Sequence, residues 1–237
     1  MKRICTICIR EGSKGVKGKN IKIIAEKPLF LHSVYQALNS HMFDIISIST
    51  DSEAVIEILE KEPIEKIFVV KRPEAMATDT APKIEAIRHC VNEVEKRARI
   101  RFDIVIDLDA TSPLRNRNDI IEAIRLLESS SASNLITATR ARRSPYFNLL
   151  EKKNDGSITL SKKPLRKIVR RQDTPPCYDM NASIYGWKRD LLENSDTLFH
   201  RDTILYEMPE ERSIDIDSPL DFKIVEFLME HNNELSL

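Results

Sequence analysis

The sequence predicts an open, doubly wound α/β fold, a mostly parallel sheet with helices on both faces. Three observations carry that expectation. The chain has 237 residues, a length that suits one such sheet with an appendage better than several domains. Short runs rich in Ile and Val recur along its first half, as in strands buried on both faces. Each run is followed by a segment with apolar residues at helical spacing, and that alternation builds right-handed βαβ crossovers.

In chain order, residues 4–9 read as the first strand and 28–39 as the helix after it, opening with Pro28 at the first helical position, where a missing N–H costs nothing. Residues 45–49 and 52–60 form the next strand and helix, 66–70 and 81–97 the third pair, 104–108 and 118–127 the fourth, and 135–138 a fifth strand. There the series breaks. Residues 141–180 are strongly charged and interrupted by prolines, so they read as an inserted arm. Inside it, Asn154-Asp155-Gly156 is a turn signal between possible strands at 149–150 and 158–160. The sheet resumes at 182–187, and 218–230 closes the fold as a helix with Pro219 at its first position. The whole reads as a single domain over 1–237 with one arm.

Lysine and arginine number 37, as do aspartate and glutamate. A formal net charge of zero excludes binding to nucleic acid through bulk electrostatics. No apolar run approaches the roughly 18 residues of a membrane span, and the N-terminal one is too short for a signal peptide, so a cytoplasmic protein with no membrane partner is expected. Four cysteines in a chain of this length are expected to stay free thiols. Cys5 and Cys8 form a C-x-x-C without a second pair or histidine partners. Their odd spacing sends the side chains to opposite faces of a strand, so they read as small core residues. The histidines show no ligand spacing, and no Ser-His-Asp arrangement can be argued.

Ligands of open parallel sheets bind at the carboxyl ends of the strands. After the first strand, residues 10–20 hold Gly12, Gly15 and Gly18, three of the five glycines in the chain, together with Arg10, Lys14, Lys17 and Lys19. Glycines let backbone N–H groups approach anionic oxygens, and Arg10, Lys14 and Lys19 suit a triphosphate or a leaving pyrophosphate. The spacing is neither a dinucleotide fingerprint nor a Walker loop. The fourth strand ends in Asp107 and Asp109, which share a face, followed by Thr111, Ser112 and Arg115. A second Asp-x-Asp, Asp215 and Asp217, precedes the last helix, and hard oxygen ligands at that spacing suit Mg²⁺. Asp217 or Ser218 also suits a helix N-cap, which makes Asp215 the better ligand candidate. Arg170-Arg171 lie upstream of Asn181 and Tyr185. Such a pair suits an acidic sugar or phosphate, although composition alone slightly favours a solvated basic run.

Taken in order, REGSKGVKGKNI at 10–21, RPEAMATDTA at 72–81, LDATSPLR at 108–115, RRQD at 170–173, NASIY at 181–185 and SIDIDSPLDF at 213–222 resemble the acylneuraminate cytidylyltransferases. The bacterial branch acting on legionaminic and related nonulosonic acids is most similar. The resemblance implies a Rossmann-like nucleotide-diphospho-sugar transferase fold and a homodimer whose arm reaches the partner's site. It also implies Mg²⁺-dependent in-line attack of a nine-carbon 2-keto sugar acid on the α-phosphate of CTP. By position, Arg10, Ser13, Lys14, Lys19 and Asn20 match the triphosphate loop, Arg72 and Ala81 lie beside the cytosine, and Asp109 and Thr111 belong to the nucleotide site. Ser112, Arg115, Arg171, Asn181 and Tyr185 match positions near the sugar acid, and Asp215 and Asp217 match the metal pair. Arg10, Lys14, Lys19 and Asp217 are the catalytic candidates.

Three positions depart from the family pattern. Glu11 stands where many members have glycine, and a carboxylate in a phosphate loop repels the ligand unless it points away or pairs with a lysine. Asp109-Ala110 replaces Gln-Pro, which leaves Asp109 free to bind differently or to help hold metal. Asn181-Ala182-Ser183 replaces Asn-Gly-Ala, implying a modified sugar pocket. The alternatives are a synthetase for the eight-carbon acid Kdo, whose central motif usually carries an acidic pair where Thr111-Ser112 stand, a glycosyltransferase, and a nucleotide-binding module without catalysis.

Overall fold

The computed structural model describes residues 1–12, 15–64, 67–164 and 170–231. Strand β1 (Arg3–Ile9) is followed by the two-residue strands β2 (Ile23–Ile24) and β3 (Lys27–Pro28) and by helix α1 (Leu29–Ser40). Strand β4 (Ile45–Thr50), helix α2 (Glu53–Lys61), strand β5 (Ile67–Lys71), helix α3 (Lys83–Ala98), strand β6 (Ile104–Leu108) and helix α4 (Arg117–Ser129) continue the alternation. Strand β7 (Asn134–Arg140) leads into a separate hairpin of β8 (Leu150–Lys152) and β9 (Ile158–Leu160). The chain returns through β10 (Tyr178–Lys188), α5 (Arg189–Asn194), β11 (Ile204–Glu207) and α6 (Pro219–His231).

Seven strands form the main sheet in the order β11-β7-β10-β6-β1-β4-β5. Only β10 runs antiparallel to its neighbours β6 and β7. One face buries Cys5, Ile7 and Ile9 against Phe30, Leu31 and Val34 of α1 and Ile120 and Ile124 of α4. The other buries Ile4 and packs Cys8 against Ile87, Val91 and Val94 of α3 and Trp187. The two cysteines therefore do face opposite ways, and all four thiols are free. A third cluster joins Val16 of the loop after β1 and Ile24 of β2 to Ile216, Phe222 and Val225 around α6. Each such side chain withdrawn from water contributes about 1.5–3 kcal/mol, enough to hold two distant chain segments at one edge of the sheet.

Several boundaries differ from the sequence reading. Pro28 is not inside α1 but caps it, with φ −50 and ψ 136. Helix α3 begins two residues later than its apolar spacing implies, because Pro82 caps it and the residue before a proline is biased away from helix. Lys66, placed in the third strand, lies outside the described residues. Tyr178 and Met180, counted with the arm, instead pair with Arg140 and Ala138 of β7. The Asn154-Asp155-Gly156 turn is present, with Gly156 at φ 85 and Asp155 accepting from the Ser157 N–H at 2.9 Å.

The Asn181-Ala182-Ser183 departure has a backbone counterpart. The β10–β7 register shifts between Met180 and Tyr185, and Ala182 sits in the left-handed region at φ 52. That conformation costs an L-residue roughly 1–2 kcal/mol, whereas glycine adopts it freely. Part of the gain on substitution is offset by the greater freedom of glycine in the unfolded chain. Ala182→Gly is therefore expected to stabilise the protein by about 0.5–1 kcal/mol, read as a higher urea midpoint, and a lowered midpoint would contradict the strain.

Candidate active site

The carboxyl ends of β1, β5 and β6 open into a cleft of ≈ 420 Å³. Its first wall is the glycine loop. Gly18, at φ 63, turns the chain into a short 3-10 turn over Lys19–Ile21. At Gly15 a Cβ would collide with the carbonyl oxygen of Asp217, so this loop and the Asp215–Asp217 stretch meet backbone to backbone. Lys19 is buried, donates to the carbonyl of Ile216, and lies 3.6 Å from a carboxylate oxygen of Asp217. Asn20 donates to the carbonyl of Arg10 at 3.2 Å, and its own buried Oδ1 has no hydrogen-bond partner among the described residues. The Arg10 guanidinium pairs with Asp79 from the loop after β5. Ser13 and Lys14 lie outside the described residues. Glu11 is exposed and does not line the cleft, its N–H held by Asp51 at 3.0 Å.

The floor is built from β6 and the residues that follow it. Lys83, which the sequence reading did not single out, reaches from the start of α3 to Asp107 at 2.8 Å and Asp109 at 2.6 Å. Asp109 also accepts from the backbone N–H and hydroxyl of Thr111, at 3.0 and 2.9 Å. Burial alone would raise the Asp109 carboxyl, but the Lys83 ammonium and the Thr111 donors outweigh it and hold it at about 2. The Thr111 hydroxyl also contacts Asp215. Burial, and then the negative charge of Asp109, push Asp215 up to about 6. The cap of α6 falls to Ser218, whose hydroxyl accepts from the Asp221 N–H at 3.3 Å while Asp221 accepts from the Ser218 N–H at 2.7 Å. Asp217 keeps its carboxylate, which is 81% exposed.

Arg10, Lys19, Asn20, Arg72, Ala81, Asp109, Thr111, Asp215 and Asp217 all line this cleft. Arg72 is buried and gives Nε and Nη2 to Ser49, at 3.1 and 2.9 Å. Other candidates lie behind the wall. Arg115 is buried and donates to the carbonyls of Ser112 and Asp109 at 2.8 Å and of Ser183 at 3.1 Å, and burial lowers its pKa to about 10. The Ser112 hydroxyl donates to the Asn181 carbonyl at 3.1 Å. The Asn181 amide accepts from Thr137 at 2.7 Å and donates to Ser213 at 2.9 Å. Tyr185 is buried on Trp187, with ring centroids 5.9 Å apart. Arg171 opens a short 3-10 turn, and its side chain lies outside the described residues.

The donor set fits a divalent cation. Asp109, Asp215 and Asp217 gather three carboxyl groups at one end of the cleft, where burial and then the charge of Asp109 raise Asp215 to about 6. Among the described residues no three His, Cys, Asp or Glu side chains are arranged to cage a metal by themselves. Mg²⁺ asks for no cage: it binds through one or two carboxylates and completes its shell with water and substrate phosphates.

A cationic glycine loop facing a carboxylate pair at the carboxyl edge of a parallel sheet is the arrangement of a nucleotide-handling enzyme. The chain belongs to the cytidylyltransferase family, whose sequence profile matches residues 4–234. It is 47% identical over 230 residues to the post-translational flagellin modification protein B of Campylobacter coli, covering 97% of this chain and 96% of that one. It is 45% identical, with the same coverage, to the CMP-N,N'-diacetyllegionaminic acid synthase of Campylobacter jejuni. An N-acylneuraminate cytidylyltransferase of Streptococcus agalactiae is 31% identical over 94% of this chain, which spans 52% of that longer protein. A CMP:2-keto-3-deoxy-manno-octonic acid synthetase complexed with CTP shares the fold, with a TM-score of 0.68 at 15% identity over 97% of this chain and 99% of that one.

The carboxyl of Asp215 makes a stability prediction. Its folded value of about 6 lies above the ordinary 3.8, so its contribution is favourable below about pH 4 and is lost as pH rises through about 6. Asp215→Asn is expected to melt higher than the parent near neutral pH, by about 1–2 kcal/mol, with the difference vanishing in acid. Equal melting at neutral pH would contradict the buried charge.

Proposed function

We propose that the protein joins a cytidylyl group from CTP to a nine-carbon 2-keto sugar acid of the legionaminic class, releasing pyrophosphate. The observation that carries this reading is the backbone contact between Gly15 and Asp217, which brings loop cations and carboxylates side by side at one nucleotide-sized cleft. The choice of acid is supported by the 45% identity to the CMP-N,N'-diacetyllegionaminic acid synthase over nearly the whole of both chains.

Arg10 and Lys19, with Lys14 and Ser13 from the same loop, hold the departing pyrophosphate, Arg10 exchanging Asp79 for a phosphate oxygen. Asn20 fixes the loop through the Arg10 carbonyl. Asp215 and Asp217 hold Mg²⁺, which when bound neutralises phosphate charge. Asp217, exposed at the cleft mouth, is the candidate to take the proton of the attacking hydroxyl. Such a transfer needs positioning and charge neutralisation rather than a covalent intermediate. Arg72 and Ala81, beside Pro82 and Ala86, form the wall for cytosine. Ser112, Arg115 and Asn181 act from behind: Arg115 clamps the turn after β6, and Asn181 ties it to Ser213. Tyr185 supports Lys83 from below, and Arg171 serves the sugar acid from the arm.

The working unit is a homodimer joined through the 141–180 arm of an otherwise single domain. Leu149, Leu150 and Ile158 in and beside the hairpin and Tyr178 and Met180 of β10 are exposed, apolar surface that a second copy would cover. A cytoplasmic location is supported by the free thiols. Among the described residues no helix is long and apolar enough to cross a membrane.

Pyrophosphate release, crossing CTP, UTP, GTP and ATP against legionaminic, sialic and pseudaminic acids and Kdo with Mg²⁺, tests the reaction. Release is expected only with CTP and a nonulosonic acid, fastest with legionaminic acid. Lys19→Ala is expected to raise the KM for CTP at least about 10-fold, and Asp217→Ala to lower kcat by about 10²–10³. Release with Kdo alone would replace the acceptor, and CTP binding without turnover on any acid would leave a binding module.

A further inference from the structure

Lys83 breaks a rule of helix electrostatics at the floor of the cleft. It is the first residue of α3, whose N-cap is Pro82 without a side-chain cap, and exposed backbone N–H groups at a helix start repel a cation. The ammonium is held there by Asp107 at 2.8 Å and Asp109 at 2.6 Å, with the Tyr185 ring centroid 4.9 Å away. Its partners are themselves fixed. Asp107 is fully buried and accepts from the Thr6 hydroxyl at 2.7 Å, while Asp109 is held by Thr111. Yet the Lys83 side chain remains 30% exposed and lines the cleft.

An ammonium has three N–H donors; one is given to Asp109, while Asp107 is held as an ion-pair partner at 2.8 Å. One positive and two negative charges make this spot unsuited to a phosphate. It suits an uncharged oxygen that accepts a remaining N–H. The position narrows which oxygen. Along the chain, Lys83 continues the wall of Ala81 and Pro82, and through Asp109 and Thr111 it connects to Asp215. A nucleotide with its base on that wall and its phosphates near Asp215 carries its ribose across Lys83. We propose that Lys83 is a substrate-contacting residue that donates to a ribose hydroxyl and so selects ribonucleotides over deoxyribonucleotides. This rests on the reading of the cleft as a CTP site. An analogue lacking that hydroxyl forfeits the charge-assisted hydrogen bond from the ammonium and binds more weakly.

Calorimetric titration of the full chain with CTP, 2′-deoxy-CTP and 3′-deoxy-CTP in the presence of Mg²⁺ tests the proposal. The unmodified protein is expected to bind 2′-deoxy-CTP at least about 10-fold more weakly than CTP, and discrimination against 3′-deoxy-CTP alone would overturn selection against deoxyribonucleotides. Lys83→Met is expected to bind all three alike. It also leaves Asp107 without its counter-ion and can fail to fold, so Lys83→Arg, which keeps a cation between the aspartates but moves the donors, is measured beside it. That variant is expected to bind the three ligands within about 3-fold of one another while melting near the parent temperature. Equal affinities in the unmodified protein, or undiminished discrimination in the arginine variant, would overturn the role of Lys83 alone. Absence of binding to any cytidine nucleotide would overturn the CTP reading beneath it.

Discussion

One ammonium group between two carboxylates organises the cleft floor. Asp107 stands at the end of β6 with no exposed surface, and a buried carboxylate without a counter-ion costs several kcal/mol. Lys83 supplies that counter-ion and so docks the start of α3 onto the middle of the sheet. Burial opposes the lysine's charge, but Asp107 and Asp109 outweigh it and hold its pKa well above the ordinary value. Asp109 in turn stays ionised and acceptor-only, which orients Thr111 toward Asp215. The floor of the cleft is thereby linked through Thr111 to Asp215, one member of the proposed metal pair.

The opposite wall depends on packing. Val16, Ile24, Leu114, Ile216 and Phe222 form one small core, so the glycine loop, the turn after β6 and the carboxylate stretch cannot move independently. Arg212 adds a bidentate pair with the buried Asp119 of α4, both contacts at 2.9 Å, anchoring the chain just before Ser213. Within that frame Gly15 allows two backbones to touch. Cations and carboxylates stay close because apolar contacts hold their backbones, so a ligand can exchange for their present partners without moving the loop.

Strands β1, β4 and β6 were legible because they are largely buried on both faces and read as short runs rich in Ile and Val. Strand β11 was not. At four residues, Ile204–Glu207, it is too short to show a period, and pairing to β7 at the sheet edge is what orders it. In the site, glycine scarcity exposed the loop, and the paired Asp-x-Asp spacing exposed both carboxylate groups. Lys83 was invisible because it is a lone lysine among many, and only the fold brings it to Asp107 and Asp109. Arg115 and Asn181 were recognisable by type but not by direction: spacing does not tell whether a strand-end side chain faces the cleft or the protein's own carbonyls. Ala182 read as a pocket substitution, whereas its backbone angle makes it also a matter of chain conformation.

The proposed transfer needs nucleotide phosphates on the glycine loop and a cation between them and Asp215 and Asp217. A crystal structure of the protein with CTP and Mg²⁺ tests it most directly. The predicted result has the triphosphate against Arg10 and Lys19, the cation on the Asp-x-Asp carboxylates, and Asp79 released from Arg10. A nucleotide bound away from the loop, or a cation on Asp107 and Asp109 with Lys83 displaced, would contradict it.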